Sequence, residues 1–272
     1  PILLRGSIGW FKSEPLGIFY GLLGLYLFLS AIQSENKKIA FLKIISGGII
    51  LALSMASWGG TQFLIIPIGI FVLALPFVKK DHKFLLWSIP LFVGTFLLIS
   101  GSFERPGLNF VLGIGGFALI LPTIFLISCI FIQKISGEQN KTRNGLLLLL
   151  SIIIIGSFVY TVNNEFRLPN GDQVLPLPSF RYLNAINPFL TATDPLVDSV
   201  AEHASVPTDI SFLLHSVWMI FAGLGIWIIL SRKISQTETF VKNDMTVFLL
   251  IFGITGVYVS SVFIRLEVFA SI

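Results

Sequence analysis

The run "GLLLLLSIIIIGSFVYTV", residues 145–162, contains no charged side chain. A hydrocarbon layer about 30 Å thick is crossed by a helix of about 20 mostly apolar residues, so a run of this kind leaves few folds open. Counting this run from Leu146, eight stretches share that character: 15–33, 39–57, 61–78, 84–101, 108–133, 146–162, 211–230 and 246–266. None alternates apolar and polar residues with a period of two, as the strands of a membrane barrel would. Unpaired backbone cannot face lipid, which leaves helices. The fold class that follows is an all-α polytopic membrane protein with about eight transmembrane helices. Composition agrees, because 12% charged residues and a mean hydropathy of +0.89 over 272 residues cannot furnish a water-facing exterior.

The loops between these stretches sort by charge. One set comprises "QSENKK", "VKKDHK", "QKISGEQNKTRNG" and "SRKISQTETFVKND", with Lys43 just inside the second stretch. It holds twelve of the eighteen Lys and Arg residues but five of the fourteen acids. Positive loops stay on the cytoplasmic side, so both termini and the segment 163–210 are expected outside. The net charge of +4 and pI of 9.3 therefore do not mark a nucleic-acid binder: the basic residues are spread over loops and form no continuous face. The "NKT" at Asn140 matches a glycosylation acceptor but sits in a loop expected to be cytoplasmic, where it stays unmodified. The one cysteine, Cys129, excludes a disulfide within the chain and a cysteine-based metal site, and reads as a small apolar residue.

Within the stretches, Gly17 and Gly21, Gly47 and Gly48, and "GIGG" at 113–116 read as places where helices approach closely. "GIGG" is not a dinucleotide fingerprint, since no strand precedes it. Pro67, Pro90 and Pro122 are expected to kink their helices.

Four features gather on the outer side: "RGSIGWFKSEP" at 5–15, "SWGGT" at 57–61, the segment 163–210, and Arg265 in "YVSSVFIRLEVF". Structureless connections beyond about 12–15 residues are usually functional or disordered. The segment 163–210 interleaves aromatic and apolar residues with six prolines and then presents Asp194, Asp198, Glu202, His203 and Asp209. Carboxylates are natural ligands of Mg²⁺ or Mn²⁺, and an arginine at headgroup depth pairs with phosphate. Acids and an arginine at one face point to an anionic, phosphate-bearing lipid headgroup. His215 reads as a helix-packing residue and His203 as a loop histidine. The span interiors are almost free of ionisable groups, which argues against a secondary transporter.

These motifs resemble those of oligosaccharyltransferase catalytic subunits. "SVAEH", 199–203, resembles the Ser-Val-Ser-Glu or Thr-Ile-x-Glu motif of the family's fifth external loop. "RGSIGWFKSEP" resembles the segment bearing an arginine and the second acidic motif, "SWGGT" its Trp-Gly-Gly turn, and "YVSSVFIRLEV" its late helix ending in Val-Arg-Leu. The matches occur in the family's order, and "GWFKSEPLG" is similar to archaeal forms. The resemblance implies a GT-C-type glycosyltransferase membrane domain, with residues 1–272 as a partial transmembrane domain cut at both ends. It implies transfer of an oligosaccharide from a dolichyl- or polyprenyl-linked (pyro)phosphate donor to Asn of an Asn-x-Ser/Thr sequon, by metal-assisted substitution with inversion. It places Glu202 at the metal and the acceptor amide, Arg265 at the donor phosphate, Arg5 at the substrate, and Glu14 at the metal, either Mn²⁺ or Mg²⁺. The partners implied are the lipid-linked donor, a sequon-bearing polypeptide and membrane lipid, with the active face extracellular or luminal. Lys12 stands where the second acidic motif has its first acid, which leaves Glu14 to carry any metal role there. The family's first acidic motif and its Trp-Trp-Asp domain do not occur among these residues, so the chain alone is expected to be inactive. A polyprenyl-phosphate-dependent glycosyltransferase with a non-protein acceptor is the alternative.

Overall fold

A computed structural model describes residues 13–79, 81–136, 140–165 and 243–262, together with helical residues 220, 221, 223–225 and 227. Among the described residues the structure is helical throughout, in this order: α1 Glu14–Ile32, α2 Lys37–Ser57, a 3₁₀ turn Gly59–Leu64, α3 Ile65–Val78, α4 His82–Ser102, α5 Gly107–Val111, α6 Ile114–Ile135, α7 Lys141–Glu165 and α8 Asn243–Val262. Five segments are long and apolar enough to cross a membrane: α1, α2, the 3₁₀ turn with α3, α4, and α6 from Gly115. α7 and α8 fall on the stretches 146–162 and 246–266, with described apolar parts Thr142–Gly156 and Met245–Gly256. Most of 211–230 lies outside the described residues.

Polar residues in the short loops set the helix ends. Asn36 has extended backbone, and its side chain accepts hydrogen bonds from the N–H groups of Lys38 and Ile39 at 3.0 and 3.4 Å, which starts α2. Asp81 does the same for α4 through the Phe84 N–H at 3.0 Å. At the same end of the bundle the Lys79 ammonium donates to the Ile32 carbonyl at 2.6 Å, so the C-terminus of α3 caps that of α1. The Lys43 ammonium donates to Ser30 Oγ at 2.7 Å. These bonds use the loop cations as structural donors on the side where the sequence concentrates positive charge.

α1 and α2 form the most extensive pairing; α2 also packs against α4, α3 against α6, and α8 against α3. Small residues explain the first of these. A Cβ built on Gly24 would lie 3.2 Å from the Gly47 carbonyl and 3.1 Å from the Leu51 nitrogen, and Gly48 meets Phe92, Thr95 and Phe96 of α4 equally closely. Lipid tails are as apolar as leucine, so close backbone approach supplies association energy that hydrophobicity alone does not. The packing expected of Gly17, Gly21, Gly47 and Gly48 is what the structure shows. Between the helices runs a chain of phenylalanines. Phe28 of α1 lies against Phe92 of α4 with ring centroids 4.3 Å apart and planes tilted by 31°, and meets Phe71 of α3 edge-on, and Phe71 meets Phe248 of α8 edge-on at 5.1 Å.

One expectation needs correction. The apolar stretch 108–133 is not one helix: the chain breaks at Leu112 and Gly113, separating α5 from α6. Gly113 is extended (φ −96°, ψ −171°), and Gly115 and Gly116 let α6 fold against the Phe110 ring and the Val111 carbonyl. The glycines of "GIGG" thus serve close packing, but against the turn that precedes them. The three prolines sit within helices: α4 and α6 continue through Pro90 and Pro122, and Pro67 is the third residue of α3. Pro122 has no N–H to offer the Ala118 carbonyl, and that carbonyl instead faces Gly69 of α3, where a side chain would collide with it. The proline therefore helps explain how α3 and α6 fit.

Candidate functional site where α1 begins and α2 ends

Glu14 is the first helical residue of α1 and is only 4% exposed. Pro15 follows it in the first turn, where a missing N–H costs nothing, and a carboxylate in that turn interacts favourably with the helix dipole. Three residues on, Gly17 shares its face of the helix. A Cβ on Gly17 would lie 2.6 Å from Trp58 Cβ and 3.3 Å from Thr61 Cγ2. The helix end that carries Glu14 is therefore pressed against the turn at "SWGGT".

That turn is built to receive it. Trp58 leaves α2 with extended backbone (φ −150°, ψ 119°) and buries its indole. Gly60 lies directly under the indole ring, where any side chain would overlap it. Thr61 Oγ1 donates to the Trp58 carbonyl at 2.6 Å and closes the turn. One turn earlier, Ser54 Oγ donates to the Gly17 carbonyl at 2.6 Å across the helix pair, wholly buried. Glu14, Ser54 and Thr61 are all buried at this end. Buried polar groups inside a membrane bundle are costly and are found where they serve function or fold.

Two of the four features expected on the outer side thus meet in space, the helix that begins at the end of "RGSIGWFKSEP" and "SWGGT". Arg5, Lys12, Glu202, His203 and Arg265 lie outside the described residues. Among the described residues, no three His, Cys, Asp or Glu side chains form a group able to hold a metal ion. Sequence reasoning did not single out Ser54, and Thr61 entered it only as the last residue of "SWGGT". Gly24 went unnoticed too, although its spacing of three from Gly21 continues a legible pattern.

This arrangement defines a polytopic α-helical integral membrane protein in which α1 and α2 hold a carboxylate at one end of the bundle. The family model described as Oligosaccharyl transferase STT3, N-terminal, matches residues 2–170, more than half of the chain and a range that includes Glu14 and the Trp58 turn. The chain belongs to that family.

Proposed function

We propose that the protein acts as a GT-C-type membrane glycosyltransferase, moving an oligosaccharide from a lipid-linked (pyro)phosphate to the Asn of an Asn-x-Ser/Thr sequon. The observation that carries this reading is a buried carboxylate, Glu14, at the helix end that Gly17 brings against the Trp58 turn, within the range matched by the oligosaccharyl transferase family model. The charge pattern of the loops supports placing this end on the extracellular or luminal side.

The donor chemistry of Glu14 and Glu202 suits a hard cation, since both offer carboxylate oxygens. A divalent ion, Mn²⁺ or Mg²⁺, held by these two residues would supply positive charge beside the donor phosphate. In this reading Glu202 accepts hydrogen bonds from the N–H groups of the acceptor carboxamide and turns its nitrogen towards the anomeric carbon. The new bond forms between that nitrogen and the carbon as the bond to the phosphate oxygen breaks on the opposite face, inverting the centre. The phosphate leaves with the electron pair, and the nitrogen gives up one N–H proton to the Glu202 carboxylate that holds it. Arg265 pairs with the phosphate as negative charge accumulates on it, and Arg5 binds substrate beside it. The Lys12 ammonium replaces one acid of the motif and leaves Glu14 as that segment's oxygen donor.

The intact protein, purified and supplied with a sequon peptide, a lipid-linked oligosaccharide and Mn²⁺, should yield glycopeptide. Glu202→Gln should lower the rate by about 10²-fold or more, as loss of a group that positions the nucleophile or general base does. Chelation should abolish turnover, and Mn²⁺ should restore it. Turnover near the wild-type rate in Glu202→Gln would remove that residue from the mechanism. Donor consumption without glycopeptide would favour the polyprenyl-phosphate-dependent enzyme with a non-protein acceptor.

A further inference from the structure

At the end of the bundle opposite Glu14, α2 and α4 start side by side. Both run away from this end, so their N-termini, each with partial positive charge, are neighbours. Between them lies an open groove of about 520 Å³ lined by Lys37, Lys38, Phe41, Leu42 and Trp87. That volume is within the roughly 300–1,000 Å³ of small-molecule sites. Its walls are apolar: Phe41 is 45% and Leu42 64% exposed, and Trp87 lies 6.4 Å from the Phe41 ring and 5.1 Å from the buried Phe84 ring. Lys37 and Lys38 are exposed at its mouth.

The neighbouring charges favour an anion. Lys83 is exposed in the first turn of α4, and His82 precedes it. The acids nearby are Glu35, exposed in the preceding loop, and Asp81, whose carboxylate is taken up capping α4. Neither lines the groove. A soluble anion would have no use for a wall of Phe, Leu and Trp. A lipid would, because lysine stems can lie along acyl chain while the ammonium groups rise to headgroup depth, and Trp favours that depth.

We infer that the groove between α2 and α4 seats a phospholipid with an anionic headgroup. Its acyl chain lies along Phe41, Leu42 and Trp87, and its phosphate lies between Lys37 and Lys38, in the leaflet next to the basic loops. Basic pockets between membrane helices on this side are suited to such headgroups. The site stands apart from the proposed glycan transfer, at the other end of α2.

The test uses the intact protein in nanodiscs containing brominated phosphatidylglycerol or brominated phosphatidylcholine at equal mole fraction. Trp87 emission is isolated by subtracting the spectrum of Trp87→Phe. Brominated phosphatidylglycerol should quench Trp87 at a mole fraction at least about fivefold lower than phosphatidylcholine does. Lys37→Ala with Lys38→Ala should abolish that preference while quenching by phosphatidylcholine persists. Both side chains are exposed, and the α2 cap uses the Asn36 side chain, so the double variant keeps its fold. Equal quenching by the two lipids in the wild type would overturn the inference. So would the absence of quenching by either lipid, which would mean that protein covers the groove.

Discussion

α2 and α7 are both long, apolar helices, yet the fold uses them in opposite ways. α2 is wedged between α1 and α4, with Ala40, Ile44, Gly47, Gly48, Leu51, Ala52, Ser54 and Met55 buried. α7 packs against α6 near its start, where Gly145 meets Cys129 and Phe77, but its leucines and isoleucines from 146 to 155 are largely turned outward. The uniformly apolar run of α7, 146–155, is less buried than the mixed sequence of α2. In water the reverse would hold. In lipid, apolar side chains gain nothing by leaving the solvent, so burial follows residues that let backbones touch. α2 has adjacent glycines in its middle that meet α1 and α4, whereas in α7 Gly145 meets Phe77 and Cys129 and Gly156 meets nothing within 4 Å among the described residues.

The comparison is broken most directly by enlarging one glycine at the α1–α2 contact. In Gly24→Leu the new side chain would have to displace the Gly47 carbonyl and the Leu51 backbone, both fixed within α2. Overpacking typically costs 1–3 kcal/mol, and backbone obstruction belongs at or above the upper end, about 3 kcal/mol. Cys129 is the chain's one cysteine and is buried, so the rate at which a maleimide labels it during heating reports unfolding. Gly24→Leu should become reactive at a much lower temperature or fail to accumulate, with Gly24→Ala intermediate. A wild-type midpoint for the leucine variant would mean that backbone contact does not hold this pair together.

The same contrast explains what could be read from the sequence. Spans, and the glycine pairs that bring them together, are legible because the bilayer imposes a length and small residues mark close contacts. The break at Gly113 was not, because apolar character runs unbroken through 108–133 while the interruption depends on how Gly115 and Gly116 fit against Phe110 and Val111. At the candidate site, Glu14 and "SWGGT" were legible as motifs. Their meeting through Gly17 and Ser54 was not, since Ser54 looks like any small polar residue in a span until its partner, the Gly17 carbonyl, is known. Glu202, Arg265 and Arg5 rest on the family pattern.

Removing that one hydrogen bond probes the α1–α2 contact more gently. Ser54→Ala deletes the donor to the Gly17 carbonyl and leaves the close approach of Gly24 and Gly47 intact. Interhelical hydrogen bonds in membranes average about 0.6 kcal/mol and reach about 1.7. The loss here should fall in the upper half of that range, because the bond is fully buried and short. It should appear as a modest fall in the temperature of Cys129 labelling. A loss as large as that of Gly24→Leu would show that the hydrogen bond, rather than the shape of the glycines, carries the contact.

The smallest effect is expected on α7. Ile153 is 55% exposed, and truncation to Ala removes side-chain surface that faces lipid. In a membrane the loosened state leaves that surface in the same hydrocarbon, so no transfer energy is lost, and alanine's better helix propensity offsets part of any remaining cost. The change should stay within about 0.5 kcal/mol, the range of surface substitutions. Labelling of Cys129 should then be shifted little, although Cys129 lies beside the start of α7 and would sense its detachment. A loss above about 1 kcal/mol would mean that another part of the protein covers this face, and the contrast with α2 would then be one of partner rather than of solvent.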